Sequence, residues 1–315
     1  MKLIFGTIDI LGVPFVFLAG YLLLALRKMG VGRFPLLRKT LSRVGVFPIS
    51  DHYYEPLFNT QALKNPLSAV RNLPGIDWGG EGQVAFLEKL NFADELKDLP
   101  QSRASEAEFY INNKSFGAGD AEYWYSLIRA VKPKRIIEIG SGNSTLMAFR
   151  ALKKNRESDA GYQCEHICIE PYEQPWLEKT GAKIIRECVE NLPLSFFGQL
   201  GNNDILFIDS SHIIRPQGDV LCEYLQILPT LNPGVIVHVH DIFSPHDYPR
   251  AWVVDQVRFW NEQYLLEAFL THNNQWEILG GLNYLRHHHF DELKTVCPYL
   301  MEDSEPGSFY MRRKI

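Results

Sequence analysis

The chain has 315 residues, a formal net charge of −5 at pH 7 and a pI of about 6.1. This length allows one large domain or two small ones, and the acidic balance argues against nucleic acid as a partner. The five cysteines are odd in number and form no C-x-x-C pair, which argues against a disulfide framework or a zinc knuckle and fits a reducing compartment.

Residues 3–26 form the most hydrophobic window of the chain. As a helix this window would measure roughly 36 Å, enough to cross a hydrocarbon core of about 30 Å. Asp9 and Pro14 interrupt it, so its continuous apolar part begins near Ile10. We predict a membrane anchor over residues 1–30. A cleaved signal peptide, whose apolar core would be shorter, and a buried or interfacial helix are the alternatives.

Basic residues cluster on the C-terminal side of this window, whereas only Lys2 precedes it; they are Arg27, Lys28, Arg33, Arg38, Lys39 and Arg43. Positively charged flanks tend to remain on the cytoplasmic side of a membrane. The sequence therefore predicts a single-pass protein whose body lies in the cytoplasm and which meets the membrane through residues 3–26.

Residues 31–118 are predicted to form a helical accessory region that could cover an active site. Within it, residues 75–96 have the apolar spacing of one amphipathic helix, and residues 98–108 are polar and resemble a linker. Packing without any catalytic role is an equally good interpretation of this region. Its candidates for substrate contact are His52, Tyr53 and Tyr54.

From residue 119 onwards, strands and helices alternate. Asp120 can begin a helix that runs to about Val131, where Lys132 and Pro133 end it. Seven strands are predicted, at 135–138, 166–170, 183–188, 204–209, 234–241, 276–281 and 308–313. Several are nearly continuous apolar runs, as expected for parallel strands covered on both faces by helices. The prediction is an α/β fold with a mostly parallel sheet over residues 119–315.

A glycine motif follows the first of these strands. Gly140 and Gly142 allow a tight backbone turn, and Asn143–Thr145 can open a helix whose free N–H groups face a cleft, so a cofactor is expected there. The dinucleotide fingerprint would require a third glycine where Thr145 stands. Glu138 would repel a pyrophosphate but suits an ammonium or a ribose hydroxyl. A nicotinamide-binding fold and a turn without a ligand are the alternatives.

The pattern E-x-G-x-G resembles motif I of the class I S-adenosylmethionine (SAM) methyltransferases. The resemblance implies a doubly wound, Rossmann-like sheet of seven strands whose late pair includes one antiparallel strand. It also implies a SAM site built from the motif residues and from acids after the second and third strands, where Glu170 would bind the ribose and Glu187 or Glu190 would lie near the adenine. The predicted cofactor site therefore contains Glu138, Gly140, Ser141, Gly142, Asn143, Ser144, Glu170 and Glu190. A purely structural acid is the alternative for Glu170.

Acids also follow the fourth and fifth strands, in FIDSSH and HVHDIF. Asp209 and Asp241 should converge at one edge of the sheet, since the carboxyl ends of neighbouring parallel strands meet there. Two converging carboxylates repel unless a cation lies between them or one is protonated. Oxygen ligands favour Mg²⁺, and an imidazole from His240 or His238 would allow Mn²⁺ or a softer ion.

The region from Gly119 onwards resembles the metal-dependent O-methyltransferases of the macrocin type. By this resemblance Asp209, His240 and Asp241 would be the metal ligands, and His212, three residues after the first acid, would be the general base beside Asp209. The chain departs from the family pattern at His240, which stands where an oxygen ligand is usual. A helix-capping or supporting role is the alternative for His212.

Other aromatic and histidine-rich stretches have simpler interpretations. His246 could shape an acceptor pocket, whereas the triplet His287–His289 fits a solvated turn better than a metal site. Residues 251–270 are predicted to form one helix, with a packed stripe made of Val253, Val257, Trp260 and Tyr264. Asn261, Glu262 and Gln263 would form the polar side of that helix.

The predicted function is a membrane-tethered, metal-assisted O-methyltransferase that acts on a hydroxyl of a small molecule, a sugar or a lipid-linked glycan. One alternative is a SAM-binding but catalytically degenerate interaction protein at the membrane. Another is a hydroxylase-like relative that uses the same fold and a metal for different chemistry. The sequence indicates neither the acceptor nor the oligomeric state.

Overall fold

The computed structural model describes residues 2–172 and 174–314, and the chain divides into two compact units, Met1–Pro66 and Leu67–Ile315. This division differs from the predicted boundaries at residues 30 and 118.

The first unit is dominated by helix α1, Lys2–Met29. Its segment Ile4–Met29 has a mean hydropathy of 2.1 and is long and apolar enough to cross a membrane. A 3₁₀ turn, Val31–Arg33, leads to helix α2, Pro35–Val44. The remainder of the unit is largely irregular, with a 3₁₀ turn at Thr60–Ala62.

The second unit is built on a seven-stranded sheet of order β3-β2-β1-β4-β5-β7-β6. The strands are β1 Arg135–Ile139, β2 Glu165–Ile169, β3 Lys183–Ile185, β4 Ile205–Ile208, β5 Ile236–Val239, β6 Trp276–Gly281 and β7 Phe309–Arg313. The first five strands run parallel, and β7 lies antiparallel between β5 and β6. The predicted doubly wound, mostly parallel sheet and its antiparallel late strand are therefore confirmed.

Helices cover both faces of the sheet. The helices of this unit are α3 Gly80–Leu87, α4 Asp120–Val131, α5 Asn143–Ser158, α6 Asp219–Cys222, α7 Glu262–Leu270, α8 Leu282–His288 and α9 Phe290–Val296. Ile136 and Phe207 belong to the core on the side of α4 and α5, whereas Ile137 and Leu206 belong to the core on the other side. Successive residues of a strand point to opposite faces of the sheet, and these four are apolar because both faces of the sheet are buried.

The single helix predicted over residues 75–96 is wrong in extent. Helix α3 spans only Gly80–Leu87, and a separate 3₁₀ turn covers Ala93–Leu96. Leu87 and Leu96 are both buried in the same core, yet on one straight helix with about 100° between residues they would point in opposite directions. The chain must turn between them to bury both.

The long helix predicted over residues 251–270 is also wrong. A single π-helical turn, Ala251–Asp255, is followed by irregular chain, and α7 begins at Glu262. Val257 has a positive φ of 53° and, like Tyr264, is exposed, so the predicted packed stripe does not form. Because the chain breaks before α7, Glu262 stands at the start of that helix with its side chain buried.

Candidate active site

The carboxyl ends of β1, β4 and β5 meet at the turn that contains Gly140 and Gly142, here called the motif turn. Gly140 has φ 78°, and a Cβ atom built on it would lie 2.0 Å from the carbonyl oxygen of Asp209. Only glycine fits this approach. Gly142 is different, because its φ of −176° is ordinary extended backbone and a Cβ there would meet nothing within 4 Å.

Asp209, His240 and Asp241 come together as predicted. Their candidate ligand atoms all lie within 4.8 Å of one another, and His240 Nδ1 is 3.5 Å from a carboxylate oxygen of each aspartate. Within the described part of the chain, neither ring nitrogen of the buried His240 has a hydrogen-bond partner. Asp120, which the sequence did not single out for the site, lies 3.7 Å from His240 Nε2. Two carboxylates and an imidazole without a hydrogen bond form a donor set that suits a divalent cation, and a carboxylate behind the imidazole is common in such sites.

The charges of this cluster are strongly coupled. Burial would raise the pKa of Asp209, but the neighbouring His240 and His212 outweigh it and hold that pKa well below its usual range. Burial raises the pKa of Asp241 to about 6. Burial would lower the pKa of His240, but Asp241 and Asp209 outweigh it and raise that pKa. The cluster is therefore held by opposite charges in close contact.

His212 lies against both aspartates. Its Nε2 is 3.3 Å from Asp209 Oδ1 and 3.4 Å from Asp241 Oδ2, and its Nδ1 is 2.8 Å from Glu262 Oε2. The indole of Trp260 lies against the imidazole, with 4.2 Å between ring centroids. Burial would lower the pKa of His212, but hydrogen bonds to Asp209 and Glu262 outweigh it and raise the pKa to about 10. The imidazole is thus oriented from both of its nitrogens.

Glu262 is the site residue that the sequence placed wrongly. The sequence pattern predicts this residue on the polar side of a long helix. In the structure it is fully buried and also accepts a hydrogen bond of 3.1 Å from the Tyr224 hydroxyl. The backbone amides of Asn261 and Glu262 donate to the carbonyl oxygen of His212. One feature of the sequence could have indicated this position. The polar residues Asn261–Gln263 lie between aromatic residues, a setting in which polar side chains are often buried and hydrogen-bonded.

A cavity of about 370 Å³ opens beside the motif turn, a size typical of small-molecule sites. Four predicted cofactor residues and one predicted metal ligand line it: Ser141, Gly142, Asn143, Ser144 and Asp209. Residues 103–116, here called the covering segment, contribute Arg103, Glu106, Glu108, Tyr110, Ser115 and Phe116 to its wall. Part of the region predicted as a possible lid therefore borders the cavity.

The covering segment is fastened to the start of α5 by side chains. Asn143 Nδ2 donates to Ser115 Oγ at 2.8 Å and to Asn113 Oδ1 at 3.1 Å. Asn113 also accepts from the backbone amides of Ser115 and Phe116. Asn143, the first residue of α5, thus holds the covering segment, which forms the opposite wall of the cavity.

Four of the predicted cofactor residues are not among those that line this cavity: Glu138, Gly140, Glu170 and Glu190. Glu138 is fully buried, with its Oε2 2.7 Å from His166 Nε2. Glu170 accepts from the backbone amides of Ser141 and Tyr172 at 3.2 and 3.0 Å. This acid supports the motif turn in the structure, and its contact with a ribose stays a prediction.

The remaining candidates lie elsewhere or pack in the core. Glu190 sits half-buried in the 3₁₀ turn Val189–Asn191. His238, the other imidazole considered for a metal, is instead buried in the core with its ring stacked on Tyr310, with 4.4 Å between ring centroids. His246 is buried, and its Nδ1 lies 2.8 Å from Asn283 Oδ1. His287 and His288 are exposed, as predicted, but they end helix α8 rather than forming a turn. Tyr53 and Tyr54 are exposed in the first unit.

Known proteins match parts of this chain. A sequence profile described as a methyltransferase domain matches residues 137–242, which include the end of β1 and all of β2, β3, β4 and β5. A relative from Archaeoglobus fulgidus, an uncharacterized protein, is 30% identical over 173 residues, covering 51% of this chain and 76% of the relative.

Two solved structures are also similar. The MycE methyltransferase of the mycinamycin biosynthetic pathway, in complex with Mg, SAH and mycinamycin VI, is 12% identical, with a TM-score of 0.32 over 59% of this chain and 47% of that enzyme. A Plasmodium falciparum protein in complex with S-adenosyl-L-homocysteine, described as a protein-L-isoaspartate O-methyltransferase, is 13% identical, with a TM-score of 0.28 over 50% of this chain and 83% of that chain. This chain thus spans about half of the MycE chain, and at these scores neither alignment establishes a common site or substrate.

Proposed function

We propose that this chain is a class I methyltransferase that takes its methyl group from SAM, and that it methylates a hydroxyl oxygen with the help of a divalent cation. The support for the family is the methyltransferase domain profile over residues 137–242. The observation that carries this proposal is the convergence of Asp209, His240, Asp241 and His212. Asp209 belongs both to this cluster and to the wall of the cavity beside the motif turn.

The motif turn and the covering segment would hold the donor. SAM carries a methyl group already activated on a sulfonium, so the protein must align an acceptor oxygen with it and help to remove the proton. The free backbone N–H groups at the start of α5 can bind the polar parts of the donor. Glu106 and Glu108 on the cavity wall suit its positive charge.

Asp209, His240 and Asp241 would hold the cation, which would oppose protonation of the neighbouring His212 and lower the pKa of an acceptor hydroxyl. His212 would then take the proton of that hydroxyl on Nε2. Glu262 fixes the ring by its contact with Nδ1, so that Nε2 faces the carboxylates of Asp209 and Asp241, beside which the acceptor hydroxyl would lie. Trp260 against the ring and the burial of His212 limit the access of water to this nitrogen.

The acceptor would be a small molecule, a sugar or a lipid-linked glycan near a membrane. The support for the membrane is α1, whose length and hydropathy suit an anchor. The basic residues that follow it would favour the cytoplasmic side for the catalytic unit. We propose no nucleic acid partner, because the net charge is −5.

The test uses the full chain in detergent micelles. Calorimetry with SAM, with and without Mn²⁺ or Mg²⁺, should show SAM binding, and cation binding that Asp209→Asn removes and Asp94→Asn, at an exposed site, retains. Transfer from methyl-labelled SAM to fractions of a membrane extract should then label a product that withstands mild base, as ethers do and methyl esters do not. Absence of SAM binding would end the proposal.

The same experiment separates the alternatives. SAM binding without transfer to any fraction would favour a catalytically degenerate interaction protein. Oxidation of an acceptor without methyl transfer would favour a hydroxylase-like relative. The buried acids at the strand ends favour turnover, since an interaction protein has no need to hold Asp209, Asp241 and Glu262 together against their repulsion.

A further inference from the structure

We infer that helix α2, Pro35–Val44, lies along the surface of a membrane leaflet that contains anionic lipids. The inference rests on the proposed role of α1 as the membrane anchor, and it assigns a separate lipid-binding task to a segment outside the catalytic unit. Its ligand class is the anionic headgroup layer of a bilayer.

The first observation is the division of α2 into two sides. At about 100° per residue, Leu37, Leu41 and Val44 share one face of the helix. Lys39 and Arg43 lie on the opposite face, and Arg38 and Leu36 lie on its two flanks. This is the pattern of a helix that lies in an interface with its apolar face towards the acyl chains.

The second observation is that the apolar face is largely uncovered within the described part of the chain. None of the ten residues of α2 is buried, and the side chains of Leu37 and Val44 are 50% and 69% exposed. A helix of this length is marginal in water, because most of the stability of short helices comes from packing of the apolar face. The helix therefore needs a surface that covers it.

The local sequence nevertheless specifies the helix clearly. Pro35 occupies its first turn, where the missing N–H costs nothing. Gly45 ends it with φ 81° and donates its N–H to the carbonyl oxygen of Leu41, as is typical of a glycine C-cap. The ends of α2 are thus defined although its apolar face is largely uncovered.

Charge and connection identify the covering surface. The stretch from residue 27 to residue 43 holds six basic residues and no acid: Arg27, Lys28, Arg33, Arg38, Lys39 and Arg43. Clusters of this kind beside a membrane span are attracted by anionic lipid headgroups. Helix α1 ends at Met29 and α2 begins at Pro35, so the start of α2 can lie no further than roughly 20 Å from the end of the anchor. A bilayer surface is within that reach.

The test compares full-length protein in two kinds of nanodisc, one of phosphatidylcholine alone and one with 30% phosphatidylglycerol as the probe, by amide hydrogen exchange. The backbone amides of residues 39–44 should exchange about ten times more slowly in the anionic discs, because the helix opens less often there. The amides of α4, in the catalytic unit, serve as an internal control and should be the same in both discs.

Variants separate the two faces of α2. The triple change Arg38→Gln, Lys39→Gln and Arg43→Gln should abolish the difference between the discs, and the double change Leu37→Ser and Leu41→Ser should abolish protection in both. A matched control changes three basic residues of α5: Lys153→Gln, Lys154→Gln and Arg156→Gln. It should behave as wild type.

Three results would overturn the inference: rapid exchange of α2 in both discs, equal protection in both discs that survives the charge changes, or protection that requires an added protein. Flotation of the discs with bound protein after an alkaline wash reports on α1 alone. Methyl transfer in the same discs reports on the catalytic unit, so failure of the anchor, of the enzyme and of the α2 inference can be distinguished.

Discussion

His212 and Asp241 both adopt a left-handed backbone conformation, with φ of 60° and 59°, which residues other than glycine rarely take. Each such residue costs on the order of 1–3 kcal/mol and persists only where its surroundings hold it. Here the imidazole of His212 is held by Glu262, and the carboxylate of Asp241 contacts His212 and His240. The conformations bring a side chain from each of two neighbouring strand ends to one point.

Gly140 and Gly142 are predicted to differ sharply in how much stability is lost when each is replaced by alanine. Gly140→Ala should destabilise the protein by about 2 kcal/mol or more, because its φ is positive and the new Cβ would clash with the carbonyl oxygen of Asp209. Gly142→Ala should cost less than about 1 kcal/mol. Thermal unfolding without SAM is the measurement, and equal losses of Tm for the two variants would contradict this account of the turn.

Glu262 is predicted to act by positioning His212. Glu262→Gln should lower kcat about 10- to 100-fold, since the orientation and proton affinity of the imidazole depend on this carboxylate, while the Kd for SAM stays within twofold. Glu277→Gln, which removes a carboxylate on β6 that pairs with Arg312, is the control and should leave kcat unchanged. A loss of SAM affinity equal to the loss of kcat would instead indicate a structural role.

At the scale of elements, the first turn of α4 contains a buried carboxyl group, that of Glu122, whose ionised form is destabilised by burial. Glu122 accepts from the backbone amides of Gly119 and Tyr299 at 2.9 and 2.7 Å, and burial raises its pKa from 4.5 to about 7. The folded state thus binds a proton that the unfolded state releases between these two values.

Glu122→Gln should therefore change the pH dependence of stability. The raised pKa stabilises wild type fully below about pH 4.5, and this contribution is lost as the pH rises through about 7. Relative to the variant, wild type should lose about 3 kcal/mol over that window. Unfolding of both proteins at pH 5, 6, 7 and 8 measures the difference, and a gain of wild type over the variant with rising pH would reverse the sign and refute the assignment.

The covering segment is predicted to depend on Asn143. Asn143→Ala removes the hydrogen bonds to Ser115 and Asn113, each worth about 1 kcal/mol, so the Kd for SAM should rise about 5- to 10-fold and trypsin should cut faster at Arg103. Asn191→Ala, in the 3₁₀ turn after β3, is the control. Unchanged proteolysis together with unchanged affinity would show that the segment is held by other contacts.

At the scale of the whole molecule, a bound cation should stabilise the second unit. A ligand that binds only the folded state at 100 times its Kd adds about 2.7 kcal/mol, so Mn²⁺ should raise the Tm by several degrees and EDTA should reverse the rise. Asp209→Asn and Asp241→Asn should each abolish the effect, and Asp94→Asn should retain it. A rise that survives both site variants would place the cation elsewhere.

Much of the fold could be predicted from local patterns alone. The apolar runs of β1, β2, β4 and β5 and the turn at Gly140 identify the sheet and its ligand-binding edge, because a strand covered on both faces must be apolar at every position. The convergence of Asp209 and Asp241 followed from the order of the strands. The hydropathy of α1 likewise marks it as a candidate membrane span.

Contacts between distant segments could not be predicted in this way. Glu262 reaches His212 only because the chain breaks at Val257, and a periodic pattern does not show where a helix must stop to satisfy packing elsewhere. Glu138 is bound to His166 on the neighbouring strand, and the covering segment reaches the cavity through Asn143. The sequence by itself therefore determined which segments are buried and which acids end the strands. The tertiary structure alone decided which side chains meet, since burial is a local property of a segment and pairing depends on the whole packed core.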